Sequence, residues 1–554
     1  MHAGSFVLTL CLLTGCATGH PQAPPLPSSP EAAAVSAVET CRDLAPLASG
    51  VCTASGSGPA LLLRGTVLAP DRVLVGGEAL ISPEGILLAV GCDTAEAAQG
   101  LDLTVVQCPR GVISPGLINS HDHIAYDQNL PGNWGDERFD HRHQWRLGLD
   151  GHTKILAPRG SNDLQTAWTE LRQVMSGTTS VLGAGGYRGL LRNLDVPELQ
   201  EGLGSPKIQY RTFPLGDTNG TMLTSGCDYP GTDDPELLKG QAYVAHVAEG
   251  VSAAARNEFL CVNGLLAPNS ELIHALGIQA SDMEILATKG SSVVWSPRSN
   301  IALYGNTLAP RLLKALGVNL TLSSDWTPSG SIHLLRELQC AADFNQTYLD
   351  GFFTPRDLWA MTTGAAADAL GLSKRIGRLA PSLVADVAVY DGAGSDDPYR
   401  ALLDAGPEDV ILVLRGGRPL YGNADLVSAL PQTGTGCEIL PEPVCGTLKT
   451  VCLQRDAGLS FADLAKANAD SYGLFFCGTP PGEPTCVPSR PGEYTGQPAA
   501  DDADGDGIED GADDCPRVFN PVRPVDAGTQ ADADGDGIGD ACDGDPLGAG
   551  SGKI

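Results

Sequence analysis

Apolar and polar positions fall into distinct patterns along the chain. Residues 61–91, LLLRGTVLAPDRVLVGGEALISPEGILLAVG, are short β-rich runs broken by Gly, Pro and Asp, which predicts a strand meander. Residues 377–422, from GRLAPSLVADVAVYDG to VILVLRGGRPLYG, read the same way. Between them, strand-like runs such as TSVLGAG, AYVAHVA, SSVVWSP and NLTLSSD alternate with helical stretches such as DLQTAWTELRQVMSG and PRLLKALGV. Alternation sustained over roughly 260 residues predicts an α/β fold, a (β/α)8 TIM barrel rather than several small domains. The two meanders are expected to combine into one β-sandwich beside it.

The first twenty residues, MHAGSFVLTLCLLTGCATGH, carry an apolar run from Phe6 to Leu13. It is too short to span a bilayer and suits a signal peptide. The run ends in Leu13-Thr14-Gly15-Cys16, which resembles a bacterial lipobox with Cys16 as the lipidated residue. A Pro/Ala tether follows, and Ala17 is not the Asp that would imply inner-membrane retention. The expected address is the bacterial cell envelope, as an outer-membrane lipoprotein or at the cell surface. The expected segments are a signal peptide (1–15), the lipidated Cys and tether (16–59), the N-terminal sandwich segment (60–112), the barrel (113–375), the C-terminal sandwich segment (376–425), a Cys-rich linker (426–498) and an acidic module (499–546).

Composition sharpens this picture. The 554 residues carry 35 Lys+Arg against 66 Asp+Glu, a formal charge of −31, the wrong sign for a nucleic-acid binder. Hydrophobic residues make up 42%, which excludes wholesale disorder. Residues 501–545 alone hold 15 acidic and 2 basic residues, a net of −13. Of 16 Cys, Cys11 and Cys16 fall in the leader. The remaining 14 are even in number and suit an oxidising compartment. Cys41/Cys52 and Cys92/Cys108 are close enough in sequence to pair, as are Cys515 and Cys542, but spacing does not fix connectivity.

The candidate chemistry sits at the ends of strand-like runs. PGLINSHDH places His121 and His123 at i and i+2, on one strand face, with Asp122 pointing away. Two imidazoles at the C-terminal end of a barrel strand are well placed to bind a metal. His246 closes a second run, Glu249 follows three residues later, His274 closes a third and Asp325 a fourth. Singly each is weak; four in order are not. The loop 125–152 adds Arg138, His141, Arg142, His143, Arg146 and His152, expected to make the barrel mouth polar and basic. A second metal at His141/His143 is the lesser option, because no apolar strand precedes the pair.

These pieces resemble the amidohydrolase superfamily, in its single-metal, deaminase- and chlorohydrolase-like branch. The motifs are PGLINSHDH, SGTTSVL, HVAEG, Ile273-His274, SPRSN, LSSD, TTGAAADALGL and GRLAPSLVADVAVYD, and the resemblance covers about residues 60–425. It implies that His121, His123, His246 and Asp325 hold one divalent metal, zinc by default with Fe2+ the alternative. It also implies Asp325 as proton acceptor, His274 as the group polarising the electrophile, and Glu249 as proton shuttle to the leaving nitrogen. Arg142, Arg298 and Asn300 are expected to contact substrate. The binuclear members add a strand-end lysine; Lys154, Lys207 and Lys239 do not end strand-like runs, which favours one metal.

In the acidic module, Asp502, Asp504, Asp506, Asp510 and Asp513 recur 30 residues later as Asp532, Asp534, Asp536, Asp540 and Asp543. The donors fall at positions 1, 3, 5, 9 and 12 of a calcium loop, with Gly at 6. The pattern resembles thrombospondin type 3 repeats, which implies bound Ca2+. Altogether the reading is a surface-anchored hydrolase of non-peptide C–N bonds, a deaminase or cyclic-amide hydrolase. A calcium-dependent adhesion lipoprotein with a non-catalytic barrel is the alternative. Expected partners are a small-molecule substrate, a membrane reached through the lipid anchor and, optionally, further copies of the chain, with no nucleic acid.

Overall fold

The computed structural model describes residues 37–155, 159–431 and 436–548. The leader, Cys16 and the first half of the tether lie outside the described residues. Among the described residues, no helix is long and apolar enough to cross a membrane.

Eight parallel strands in chain order form the barrel among the described residues. They are β1 (Leu117–Asn119), β2 (Thr178–Val181), β3 (Arg192–Asn193), β4 (Gln209–Arg211), β5 (Tyr243–Val247), β6 (Ser270–His274), β7 (Ser292–Trp295) and β8 (Leu320–Leu322). Ladders join β1 to β3 and β4 to β8. The ring closes where Asp122 bridges Asp325 in parallel and the His123 amide donates to the Asp325 carbonyl at 2.8 Å. On the other side the Ile208 amide reaches the Leu194 carbonyl at 3.5 Å, sewing β3 to β4.

Alternation along each strand sorts side chains between two cores. Tyr243, Ala245, Val247, Leu272, Val293 and Trp295 join the helices outside the ring. Val244, Ile273 and Val294 face a separate cluster with Ile118 and Leu194. The second half of the barrel has regular helices after its strands, including Ala253–Cys261, Ala280–Lys289, Pro297–Tyr304 and Leu334–Tyr348. The first half substitutes loops and short 3-10 turns between β2 and β5.

The meanders from both sides of the barrel form one hydrogen-bonded sheet of 11 strands. The expected partnership between residues 60–112 and 376–425 is present: Val387–Asp391 pairs antiparallel with Leu103–Pro115. The boundaries are wider than the apolar pattern indicates. Ala37–Thr40 and Thr53–Gly56, expected in the tether, are edge strands of this sheet. Lys449–Val451 and Glu438–Ile439, expected in the linker, extend its other end. Val387 and Val389 pack into the sheet's own core, while Ala388 and Tyr390 pack toward the barrel.

Among the described residues seven disulfides join all fourteen cysteines after the leader. The near neighbours do not pair as expected: the bridges are Cys41–Cys92 and Cys52–Cys108, because sheet pairing brings remote strands together. Cys515–Cys542 does pair. Segment 436–498 is no free spacer. Cys445–Cys477 and Cys340–Cys486 tie it down, and the Tyr472 carbonyl accepts from Trp168 Nε1 and Arg172 Nη2, both at 2.8 Å. The acidic module is docked too. The Phe519 amide donates to the Tyr348 carbonyl at 3.0 Å, and Arg523 Nη1 reaches the Leu276 carbonyl at 2.9 Å.

Candidate active site

The end of β1 delivers His121 and His123 with ring centroids 4.9 Å apart. Asp122 turns away as alternation requires. Its carboxylate accepts from Asn119 Nδ2, Gln173 Nε2 and Ser324 Oγ at 2.8, 3.1 and 2.9 Å. Burial, then the neighbouring Asp127 charge, raises its pKa well above the ordinary value. It therefore locks β1 to β8 and helix Asp163–Val174 without facing the site.

His246, on β5, brings its ring to 4.7 Å from His121 and 5.4 Å from His123. Asp325, just past β8, places Oδ1 3.0 Å from His121 Nε2 and 3.7 Å from His123 Nε2. Three nitrogen donors and a carboxylate thus converge, the donor chemistry of a divalent transition metal. Burial pushes the His121 pKa down to about 4 and that of His246 well below its ordinary value. Near pH 7 both rings are neutral and each offers a lone pair. For Asp325 burial opposes ionisation, but the His121 hydrogen bond and the surrounding imidazoles outweigh it and hold the carboxyl below the ordinary range. The set fits a single metal ion. Lys207 precedes β4, at the opposite strand end from this cluster.

His274 and Glu249 face the same space. In register Ile273 lies beside His246, so plain alternation would turn His274 outwards. The left-handed backbone at His274 (φ 72°) and Ala275 (φ 51°) interrupts the alternation, and the ring sits 5.3 Å from that of His246. Such strained non-Gly positions concentrate at functional sites. Glu249 Oε1 lies 3.9 Å from His274 Nε2 and accepts from Tyr304 Oη at 2.7 Å.

The three residues expected to contact substrate all have partners within the protein. Arg142 is enclosed: Nη2 lies 2.6 Å from Asp217 and 3.3 Å from Glu258, and Nη1 donates to the Thr212 carbonyl at 2.8 Å. Arg298 faces segment 436–498, with Nη1 3.3 Å from Glu483 and Nε donating to Ser331 Oγ at 2.7 Å. Asn300 is turned onto His274, with Oδ1 3.0 Å from Nδ1, so it holds the imidazole rather than substrate. Of the other basic side chains in this loop, His152 pairs with Glu137, whereas Arg138 donates to the Ser489 carbonyl and Arg146 to that of Thr218, bonds that leave both guanidinium charges in place. His141 and His143 meet Glu258 and Asp217 with Arg142 among them, and that guanidinium already supplies the cluster's positive charge.

Sequence reasoning missed three residues that support the site. Ser299 Oγ donates to Asp325 Oδ2, Tyr304 donates to Glu249, and Trp145 Nε1 donates to Tyr304 Oη at 2.9 Å. The SPRSN motif was a signal for Ser299; Tyr304 and Trp145 had none. The rings of Trp326 and Trp145 lie 5.9 Å apart, with Trp326 5.5 Å from His123. His123, whose side chain keeps 19% exposure against 0% for His121, is where the cluster reaches the surface.

Comparison with known proteins agrees with this architecture. Residues 242–420 match the amidohydrolase family. A 5-methylthioadenosine/S-adenosylhomocysteine deaminase from Teredinibacter turnerae is 34% identical over 131 residues, 23% of this chain and 30% of that protein; the chain thus spans under a third of that relative. A protein of the same name from Nitratidesulfovibrio vulgaris is 24% identical over 58% of this chain and 80% of its own length. A 5'-deoxyadenosine deaminase from Methanopyrus kandleri is 25% identical over 67% of this chain and 95% of its own. Among solved structures, atrazine chlorohydrolase from Arthrobacter aurescens, complexed with zinc, superposes with a TM-score of 0.51 at 19% identity, covering 65% of this chain and 95% of that one. The chain is thus similar to the amidohydrolase family over residues 242–420 and to proteins named as deaminases, and it shares the fold of the chlorohydrolase.

Proposed function

We propose that this protein is a single-metal deaminase of a planar amine-bearing heterocycle, exported and anchored at the cell envelope. The observation that carries the reading is a pair of donor triads that share His121, one with His123 and Asp325 and the other with His246 and His274, each with its ligand atoms within 4.8 Å of one another, and Glu249 3.9 Å from His274. His121, His123, His246 and Asp325 would hold a divalent metal, zinc by default, which when bound would supply the Lewis acidity that makes water a nucleophile near neutral pH. Asp325, ionised at neutral pH, accepts the proton of the attacking water. Glu249 carries a proton to the departing nitrogen, so that the amine leaves neutral. His274, held at Nδ1 by Asn300, presents Nε2 to the oxygen on which negative charge develops.

The Trp326 ring beside His123, with Trp145 against it, supports a flat substrate. The adenine ring of the adenosine-type substrates in the relatives' names is a planar amine-bearing heterocycle. The test is ammonia release across amino-purines, amino-pyrimidines, amino-triazines and cyclic amides. Turnover of an aromatic amine supports deamination, opening of a cyclic amide redirects the reading to ring hydrolysis, and no turnover of any class contradicts it.

For the acidic module the proposal is calcium binding. The two repeats make the same internal hydrogen bonds: Gly505 and Gly535 donate to Asp502 and Asp532, and Ala503 and Ala533 to Asp510 and Asp540, all at 2.8 Å. Asp502, Asp504 and Asp506 bring carboxylate oxygens within 4.8 Å of one another. Asp504 Oδ2 is buried without a partner, an oxygen that a cation would satisfy.

A further inference from the structure

The helix Pro297–Tyr304 touches three groups of the proposed site. Ser299 meets Asp325, Asn300 meets His274 and Tyr304 meets Glu249. Asn300 and Tyr304 are i and i+4 and share a helix face. Tyr304 is fully buried. Its hydroxyl accepts from Trp145 Nε1 at 2.9 Å, which aims the O–H at Glu249 Oε1, 2.7 Å away. Burial and the facing Glu249 charge keep this phenol protonated, so it remains a donor.

The C-terminal end of the helix is where segment 436–498 acts. The last carbonyls of a helix have no partner within it. Here Arg490 Nη1 donates to the Tyr304 carbonyl at 2.9 Å, and Tyr494 Oη to that of Gly305 at 3.3 Å. Arg490 Nη2 also binds Asp140 Oδ1 at 2.7 Å, just ahead of the helix Arg142–Leu147 that carries Trp145. Gly305 has φ 71°, and a Cβ there would lie 2.4 Å from the Ser489 carbonyl oxygen. The extension therefore clamps both groups that define the position of the Tyr304 hydroxyl.

We propose that Tyr304 is a positioning residue for Glu249, and that the C-terminal extension completes the active site by fixing Tyr304 and Trp145 through Arg490. This rests on the deaminase reading for the role of Glu249, but not for its position. This pair of bonds accounts for the burial of the Tyr304 hydroxyl, whose two partners are the proposed proton carrier and the tryptophan of helix Arg142–Leu147.

The test is the Tyr304→Phe variant, which keeps the ring and removes only the hydroxyl, made alone and in a Glu249→Gln background. With the substrate found by the screen, kcat is expected to fall about tenfold while KM stays within about twofold and metal content is unchanged. In the Glu249→Gln background the same change should cost less than about twofold, because the group it serves is already gone. Unchanged kcat in Tyr304→Phe overturns the proposal, as do losses that multiply in the double variant. Should Tyr304→Phe fail to fold, Trp145→Phe removes the donor that aims the hydroxyl and is expected to lower kcat about threefold; no loss there counts against the proposal. Crystal structures separate this inference from the reading beneath it. If no substrate turns over in the wild type, the functional reading fails. The positioning claim is then decided by the Glu249 carboxylate, which must leave its wild-type position in Tyr304→Phe and is overturned if it stays.

Discussion

Glu249→Gln is the sharpest test of the proposed chemistry, because the site tells what the substitution keeps. Glu249 is not among the four convergent donors. It lies three residues past His246, facing His274 at 3.9 Å. A glutamine fills the same space, and its amide oxygen still accepts from Tyr304 Oη, now 2.7 Å from Glu249 Oε1. That bond passes from charge-assisted to neutral, costing about 1 kcal/mol of stability. The ability to bind and release a proton is lost outright. General acid–base catalysis contributes about 10²–10⁴-fold, so kcat should fall by that factor, equal to about 3–5 kcal/mol in the barrier. The assay is ammonia release under saturating substrate, with metal content and melting temperature measured on the same preparation. Full activity in Glu249→Gln removes this residue from the mechanism. Loss of the metal would make it a ligand and refute the assignment of Asp325 as the only carboxylate donor.

Two further predictions concern stability. Glu271, buried on β6 beside Thr321, has its pKa raised to about 8 by burial. The folded chain therefore holds a proton there that the unfolded chain gives up above about pH 4.5. Stability from this group is full at low pH and lost as pH rises toward 8; melting curves should show that decline, and Glu271→Gln should flatten it. An equally steep decline in the variant removes Glu271 as its cause. Calcium added to calcium-depleted protein should raise the melting temperature, by the equivalent of about 2.7 kcal/mol at a hundredfold excess over Kd. Arg523 and Val525 contact the backbone at Leu276 and Val251, just past His274 and Glu249, so calcium depletion should also lower turnover. A melt insensitive to millimolar calcium argues against the repeats as calcium loops.

The framework of the site was legible because barrel chemistry is local. His121, His123, His246 and Asp325 each follow an apolar strand, and a strand end in an α/β barrel points to one rim. The alternation of strand and helix likewise pointed to the barrel and its split companion. What the sequence pattern concealed was pairing across distance. Arg142 and Arg298 stand out as unbalanced cations when read along the chain, yet Asp217, Glu258 and Glu483 neutralise them from remote segments. Disulfide partners such as Cys41 and Cys92 are set by sheet order, which no spacing rule encodes. Tyr304 was invisible because its polar tip lies within an apolar helical stretch, and only the folded chain shows Glu249 opposite it.

The claim on which the rest depends is a metal in the barrel. The direct measurement is anomalous diffraction at the metal edge from crystals of the purified protein, with elemental analysis of the same sample. One transition-metal ion per chain, bounded by His121, His123, His246 and Asp325, is the predicted result. A protein that carries no transition metal at these four side chains, and takes none up when zinc or iron is supplied, would contradict the account.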